Sequence, residues 1–132
     1  MINITDLGGE IMIGFGIVIV IFLLLNRRWR EAALFTFIVG GAGVINTVLK
    51  NIFQRVRPQF YPLITERDYS FPSGHAMDSF VFYLALSYLL FHVTKNRRLS
   101  IAITILSIFL IGLIGVSRIY LGVHYSSDVL EG

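Results

Sequence analysis

The sequence contains no cysteine. A disulfide framework, a thiol nucleophile and a thiolate metal site are therefore all excluded. Charged residues are also scarce, at 14% of 132 positions, whereas 55% of the residues are hydrophobic and the mean hydropathy is +0.75. A soluble domain of this length cannot bury so much apolar surface. The composition therefore predicts one integral membrane domain over residues 1–132.

The first ten residues contain Asp6 and Glu10 but no Lys or Arg, and no small-residue cleavage site follows the first apolar run. An ordinary secretory signal has both a basic start and such a site, so we expect no cleaved signal. The chain has no repeat and no low-complexity segment. Its apolar runs are continuous rather than alternating, which excludes a transmembrane β-barrel.

The apolar residues form four runs, at Ile11–Leu25, Ala32–Leu49, Ala76–Val93 and Ser100–Val116. A helix needs about 20 residues to cross a hydrocarbon layer of ~30 Å, so the first run is short for a span. Close helix contact is expected in the second run, at Gly40, Gly41 and Gly43. The predicted fold is all-α, a polytopic transmembrane helix bundle with four full spans and the start of a further helix.

The polar segments between these runs fall into two groups. If all four runs cross, Asn26–Arg30 and Lys95–Arg98 lie on one side, and Lys50–Ser70 and Arg118–Asp128 lie together on the other. The first side carries six Lys and Arg and the second carries five. If three of those five belong to a binding site, the positive-inside rule places the second side outside the cytoplasm.

A polar stretch, Ser117–Asp128, follows the fourth run. Arg118, His124 and Asp128 are costly in hydrocarbon, which indicates a functional site. A spacing of four would place His124 and Asp128 on one helix face, where the carboxylate orients one imidazole nitrogen and leaves the other as base or nucleophile. Gly122 allows a helix that ends just before it to reverse through a left-handed residue. A juxtamembrane turn with an interfacial Arg and a capping Asp is the alternative.

A basic cluster lies at the end of the second run. Lys50 and Arg57 are seven apart, two turns along one helix face, and Pro58 is expected to stop that helix at Arg57. Arg55 faces elsewhere in this arrangement and is expected to be an interfacial anchor. The alternative for the whole cluster is a basic anchor at the lipid headgroups.

A third cluster, Pro72-Ser73-Gly74-His75, opens the third run. Pro and Ser favour a helix start, where free backbone N–H groups bind anions. A histidine in the first turn lies at the membrane edge, where an inert interfacial His is the alternative. Asp78 is expected either to orient His75 or to cap the helix.

Lys50, Arg57 and Arg118 bring three positive charges to one face, which favours a multiply charged anion such as phosphate and disfavours a metal ion. Two histidines can then take different roles in a phosphoryl transfer. One attacks phosphorus and the other protonates the departing oxygen. The cations stabilise the charge of the transition state, as magnesium does in other enzymes.

The motifs Lys50-x6-Arg57-Pro58, Pro72-Ser73-Gly74-His75 and Ser117-Arg118-x5-His124-x3-Asp128 resemble the three signatures of the type-2 phosphatidic acid phosphatase superfamily. The resemblance implies that His124 is the nucleophile and forms a phosphohistidine, that Asp128 orients it, and that His75 is the general acid. It also implies a set of residues that hold the substrate phosphate: Lys50, Arg57, Ser73, Gly74 and Arg118. It implies no metal and no cofactor.

Within that superfamily the chain is similar to bacterial phosphatidylglycerophosphate and undecaprenyl pyrophosphate phosphatases. The resemblance therefore implies a multi-pass enzyme of the cell membrane that hydrolyses a lipid phosphate or pyrophosphate outside the cytoplasm, without nucleic acid and with homo-oligomerisation as an option. Membrane members of the family have six spanning helices, so the domain is expected to lack the first and last of them and to be incomplete at both ends.

Two other functions are compatible with these motifs. One is a catalytically silent lipid-phosphate-binding or scaffold protein derived from the family. The other is vanadate-dependent halide oxidation, which the apolar runs disfavour because the haloperoxidase relatives are soluble. A group of aromatic residues near the same interface either accommodates a lipid tail or forms an interfacial belt: Phe60, Tyr61, Phe71, Phe80 and Tyr83.

Overall fold

The computed structural model describes residues 9–56, 69–122 and 124–130. Within these ranges the regular structure is entirely helical, which confirms the predicted all-α class. The helices are α1 (Glu10–Leu25), α2 (Trp29–Phe53), α3 (Gly74–Thr94), α4 (Arg97–Tyr120) and α5 (Ser126–Leu130).

Three of these helices, α2, α3 and α4, are long and apolar enough to cross a membrane. The shortest of the three, α3, has 21 residues and a length of about 31 Å at ~1.5 Å per residue. Helix α1 has 16 residues and is about 24 Å long, which is less than the ~30 Å of a hydrocarbon layer. The prediction of four full spans therefore holds for three helices, and the described part of α1 is shorter than a span.

Single residues in left-handed conformations mark where α2 and α3 end. Gln54 and Lys95 take left-handed backbone conformations, with φ of 46° and 56°, directly after α2 and α3. Each reverses the chain and donates its N–H to the last helical turn, as a left-handed C-cap does. The next helix, α4, starts at once because the Asn96 side chain accepts a hydrogen bond of 3.1 Å from the N–H of Leu99.

A hydrophobic core joins α1, α2 and α3. Its buried members are Met12, Leu23, Ala32, Phe35, Phe82 and Leu89. The rings of Phe35 and Phe82 meet edge to face, with centroids 5.6 Å apart. A Cβ atom added to Gly16 would lie 3.3 Å from the Phe82 ring, so α1 approaches α3 closely at this glycine.

The expected close contact at Gly40, Gly41 and Gly43 is wrong for the described residues. Apart from the adjoining residues and backbone of α2 itself, no described atom lies within 4 Å of a Cβ built at any of these three glycines. The reason is their position around α2, whose buried side chains are Ala32, Phe35, Ala42 and Asn46. The glycines lie beside that face rather than on it.

Helix α5 packs against α4 at Gly115. A Cβ added to Gly115 would lie only 2.7 Å from Cγ1 of Val129, so α5 occupies the space that a side chain would need. Because α2, α3 and α4 alternate in direction, the end of α2, the start of α3, the end of α4 and α5 lie at one end of the bundle. Arg55 and Ser70 both contact Asp128, so the prediction that Lys50–Ser70 and Arg118–Asp128 share a face is confirmed for the described residues of these segments.

Candidate active site

The end of α4 carries the first part of the site. Arg118 lies in the last turn of α4 and is 1% exposed, and Ser117 beside it is fully buried. The helix stops at Tyr120, and Gly122 has a φ of 71° and donates its N–H to the carbonyl oxygen of Ile119 at 3.0 Å. The predicted left-handed reversal at this glycine is confirmed.

His124 and Asp128 lie together, but not on one helix as predicted. Helix α5 begins only at Ser126, so His124 precedes it and Asp128 lies in its first turn. The Asp128 Oδ2 atom accepts a 3.0 Å hydrogen bond from the N–H of Tyr125, the residue before α5. In a capping box, a first-turn side chain bonds the backbone N–H that precedes the helix in the same way. The His124 Nδ1 atom lies 3.7 Å from Oδ2, and both side chains are buried. The pair is thus formed by the turn before α5, and the other imidazole nitrogen is the one turned away from Asp128.

The start of α3 joins this pair. Ser73 is the N-cap of α3, and its N–H donates a 3.0 Å hydrogen bond to the carbonyl oxygen of Asp128. The Ser73 hydroxyl is buried and has no hydrogen-bond partner among the residues that the structure describes. His75 follows in the first turn of α3 and is half-buried. The second and third motifs are therefore in direct contact.

The first motif departs from its predicted geometry. Helix α2 ends at Phe53, so it does not reach Arg57, and the prediction that Lys50 and Arg57 share one helix face is wrong. The cause is the left-handed Gln54, which ends the helix before Pro58 can. Arg57 and Pro58 lie outside the described residues. Lys50 remains at the same end of the bundle, with its Nζ atom 2.8 Å from the carbonyl oxygen of Tyr69.

Arg55 is not the interfacial anchor that was predicted. Its Nη1 atom lies 2.6 Å from Oδ1 of Asp128 and 2.8 Å from the hydroxyl of Ser127. Its guanidinium lies over the ring of Tyr125, 4.5 Å from the centroid. The prediction assumed continued helical phase, whereas the chain leaves the helix at Gln54 and turns Arg55 toward α5.

Ser70 is a further residue of the site, and none of the three motifs predicted it. Its hydroxyl donates to Oδ2 of Asp128, and its N–H donates to the carbonyl oxygen of Arg55 at 2.7 Å. Asp128 thus receives donors from the segment after α2, the segment before α3 and the turn before α5. A serine at the end of a polar loop carries no sequence signal for such a contact, because the partner is 58 residues away.

Asp78 does not cap α3. It lies in the second turn, beyond the first-turn amides that a capping side chain can reach, and the first turn holds no acidic residue. In the described part of the chain, no three His, Asp or Glu side chains are grouped as ligands of a metal ion.

An apolar groove of about 490 Å³ lies between α3, α4 and α5. Its wall includes Ala76, which follows His75, and Val129, which follows Asp128. Phe80 also lines it and is half exposed. The other aromatic residues considered above lie elsewhere: Phe71 packs on Phe53, Tyr83 packs on Phe82, and Phe60 and Tyr61 are outside the described residues.

Comparison with known proteins relates the chain to one family of membrane phosphatases. A sequence model of the PAP2 superfamily matches residues 31–132. The chain is 34% identical to phosphatidylglycerophosphatase B of Bacillus subtilis (strain 168) over 137 residues, which cover 100% of this chain and 66% of that protein. It is 32% identical to undecaprenyl-diphosphatase BcrC of the same organism over 120 residues, 86% of this chain and 57% of that protein.

The fold is similar to a crystal structure of a transmembrane PAP2-type phosphatidylglycerolphosphate phosphatase from Bacillus subtilis. The TM-score is 0.89 at 34% identity, over 97% of this chain and 65% of that one. The chain therefore spans between 57% and 66% of the length of these relatives. The apolar helices and the similarity to a transmembrane structure make the chain a multi-pass membrane protein. Because the family model matches most of its length, the chain belongs to the PAP2 superfamily.

Proposed function

We propose that this protein is a metal-independent phosphatase that hydrolyses a lipid phosphate or pyrophosphate through a phosphohistidine, at the membrane face outside the cytoplasm. The observation that carries the proposal is the hydrogen bond between the Ser73 N–H and the Asp128 carbonyl oxygen. It holds the helix that carries His75 against the segment that carries His124. Two histidines at one buried, cation-rich end of the bundle suit a phosphoryl transfer in two steps.

In the first step, the Nε2 lone pair of His124 attacks phosphorus. This is the nitrogen opposite Nδ1, which lies 3.7 Å from the Asp128 carboxylate. As the new N–P bond forms, the bond from phosphorus to the lipid-side oxygen breaks, and protonated His75 gives its proton to that oxygen. Asp128 stabilises the positive charge that develops on the imidazole of His124.

In the second step, His75 is neutral and takes a proton from a water molecule, whose oxygen attacks phosphorus. The N–P bond breaks, inorganic phosphate leaves, and both histidines return to their starting states. The transferring group carries charge on its equatorial oxygens throughout, so it needs cations and N–H donors around it. No step requires a metal ion.

The phosphate is held by the cations and by the start of α3. Lys50 and Arg118 lie at the site end of the bundle, and Arg57 completes the first motif. The first-turn amide of Gly74 has no acceptor within its own helix, so it is available to an anion. The Ser73 hydroxyl is buried without a described partner, which suits a donor reserved for substrate.

The substrate class follows from the names of the two relatives and from the apolar groove. One relative is named for phosphatidylglycerophosphate and the other for undecaprenyl diphosphate, which share a phosphate on a long apolar tail. The groove of about 490 Å³ is lined by Ala76, the neighbour of His75, and by Val129 of α5, so it suits the part of such a tail nearest the phosphate.

The test is release of inorganic phosphate by the purified protein in detergent with EDTA. Undecaprenyl pyrophosphate and phosphatidylglycerophosphate would be assayed side by side. We expect turnover of at least one substrate, complete loss in His124→Ala, and full activity in His92→Ala, whose exposed histidine lies at the opposite end of α3.

A requirement for a divalent metal, or activity that survives His124→Ala, would overturn the mechanism. Lipid phosphate that binds to the wild-type protein without turnover would instead favour a catalytically silent lipid-phosphate-binding or scaffold protein.

A further inference from the structure

Arg55 lies between the positions of the first motif and belongs to none of the three motifs. It nevertheless makes three contacts with the segment that contains the proposed nucleophile. Its Nη1 atom lies 2.6 Å from Asp128 Oδ1 and 2.8 Å from the Ser127 hydroxyl, and its guanidinium covers the Tyr125 ring at 4.5 Å. Its side chain is 41% exposed, whereas that of Asp128 is fully buried.

A fully buried carboxylate has lost its water, so its charge must be compensated by donors from the protein. Asp128 Oδ2 accepts from the Ser70 hydroxyl and the Tyr125 N–H, which are neutral donors. Oδ1 accepts from Arg55, which brings a positive charge and the stronger hydrogen bond of a charged pair.

These donors also fix how the carboxylate is turned. Arg55 holds Oδ1 from the end of α2, while Ser70 and Tyr125 hold Oδ2. A carboxylate held at both oxygens cannot rotate about its Cβ–Cγ bond. Oδ2 is therefore kept on the side of His124, at 3.7 Å from Nδ1.

We propose that Arg55 is a positioning residue for the Asp128–His124 pair. It acts on the proposed nucleophile through Asp128, and the inference rests on the phosphatase function proposed above. Its Nη1 atom bonds Asp128 and Ser127 and its face covers the Tyr125 ring, which assigns it to the Asp128 segment rather than to the phosphate. The contrasting possibility is a purely structural tie between the end of α2 and α5, which would affect folding but not His124.

The kinetic test uses Arg55→Ala, Arg55→Lys and a matched control, Arg30→Ala. Arg30 is an exposed arginine at the opposite end of α2. We expect Arg55→Ala to lower kcat on the order of 10–100-fold with little change in KM, as loss of a residue that orients an active group does. Arg55→Lys restores part of kcat, because an ammonium can reach Oδ1 but cannot also bond Ser127 and stack on Tyr125.

A raised KM with unchanged kcat would overturn the proposal, because it would make Arg55 a phosphate ligand. Unchanged kcat and KM in Arg55→Ala would overturn it as well. Arg30→Ala should match the wild type in both constants.

A second measurement does not depend on turnover. The chain has three histidines, so the imidazole ¹⁵N resonances of labelled protein in micelles can be assigned with His124→Ala and His92→Ala. We expect the His124 resonances to shift in Arg55→Ala and to stay unchanged in Arg30→Ala. If Arg55→Ala does not fold, Arg55→Lys serves, because its altered contact must also reach His124.

Unshifted His124 resonances in a folded Arg55 variant would overturn the positioning role. Because this readout needs no substrate, it separates the two proposals. Shifted resonances in a protein without phosphatase activity would leave the Arg55 contact established and the proposed function refuted.

Discussion

The N–H of Ser73 and the carbonyl oxygen of Asp128 are 3.0 Å apart and form a hydrogen bond between the N-cap of α3 and the first turn of α5. The side chain of the same aspartate accepts from Arg55 and Ser70. Asp128 is therefore the residue at which the segments after α2, before α3 and after α4 meet. A displacement of α5 would disturb the contacts of Asp128 with all of these segments. It would be unfavourable, because a buried carboxylate without its hydrogen-bond donors is costly.

Substitutions of Ser73 and Ser70 should have different effects, the first on kcat/KM and the second on the free energy of unfolding. The Ser73 hydroxyl has no described partner, so Ser73→Ala should leave thermal unfolding nearly unchanged. It should lower kcat/KM about 10- to 100-fold, since a hydrogen bond to a charged group contributes about 1.5–3 kcal/mol. The Ser70 hydroxyl donates to buried Asp128, so Ser70→Ala should lower the free energy of unfolding by about 1–3 kcal/mol.

Both quantities are measurable in detergent, as kcat/KM for phosphate release and as the midpoint of thermal unfolding. Equal destabilisation by the two substitutions, with kcat/KM unchanged in Ser73→Ala, would contradict the assignment of the Ser73 hydroxyl to substrate.

The loss of kcat in His75→Ala should be larger for a more basic leaving group. A general acid contributes about 10²–10⁴-fold, so His75→Ala should lower kcat by that factor on a lipid alkyl phosphate. An aryl phosphate ester leaves as a stable phenolate and needs little protonation, so His75→Ala should lose much less activity on it. The comparison is a ratio of kcat values for the two esters in wild type and variant.

His124→Ala supplies the control for this experiment, because removing the nucleophile should abolish turnover of both esters. The same loss on both esters in His75→Ala would argue against a general acid and for a structural or phosphate-holding role.

Gly115 should be intolerant of even a methyl group. A Cβ at this position would lie 2.7 Å from Cγ1 of Val129, so Gly115→Ala must push α5 away from α4. Overpacking of this kind costs about 1–3 kcal/mol, and the shift would move Asp128, the neighbour of Val129. We expect both a lower unfolding midpoint and a lower kcat.

Gly41→Ala is the matched control, since apart from the adjoining residues and backbone of α2 no described atom lies within 4 Å of a Cβ at Gly41. It should leave activity unchanged and leave stability equal or slightly higher, because Ala favours a helix over Gly. Equal effects of the two substitutions would show that α5 is not tightly packed at Gly115.

The side of the membrane that carries the site can be tested by thiol labelling, because the chain has no cysteine of its own. Tyr69→Cys places a single thiol at the site end of the bundle, and Arg97→Cys places one at the opposite end, at the start of α4. An impermeant maleimide applied to intact cells should label Tyr69→Cys and leave Arg97→Cys unlabelled. Both should be labelled after solubilisation, and the reverse pattern in intact cells would place the site in the cytoplasm.

Much of the fold follows from short-range features of the sequence. The second, third and fourth apolar runs form α2, α3 and α4. In hydrocarbon a helix makes all of its backbone hydrogen bonds internally, and the length of each run must match the thickness of the hydrocarbon layer. The reversal at Gly122 was predictable because glycine takes a positive φ without steric cost. The common face of the polar segments needed only the alternation of those three helices.

Contacts between distant segments were decided by the tertiary structure. Arg55 and Asp128 are 73 residues apart, and no local pattern pairs them. A left-handed residue, Gln54, ends α2 early and turns the guanidinium to α5, where a buried carboxylate requires a charged partner. His124 likewise reaches Asp128 through a turn and not along a helix. The sequence thus determined the membrane helices and the residue types of the site, because these depend on local periodicity and composition. Only the packed structure decided which donors hold Asp128, because that choice depends on burial and on the positions of helix ends.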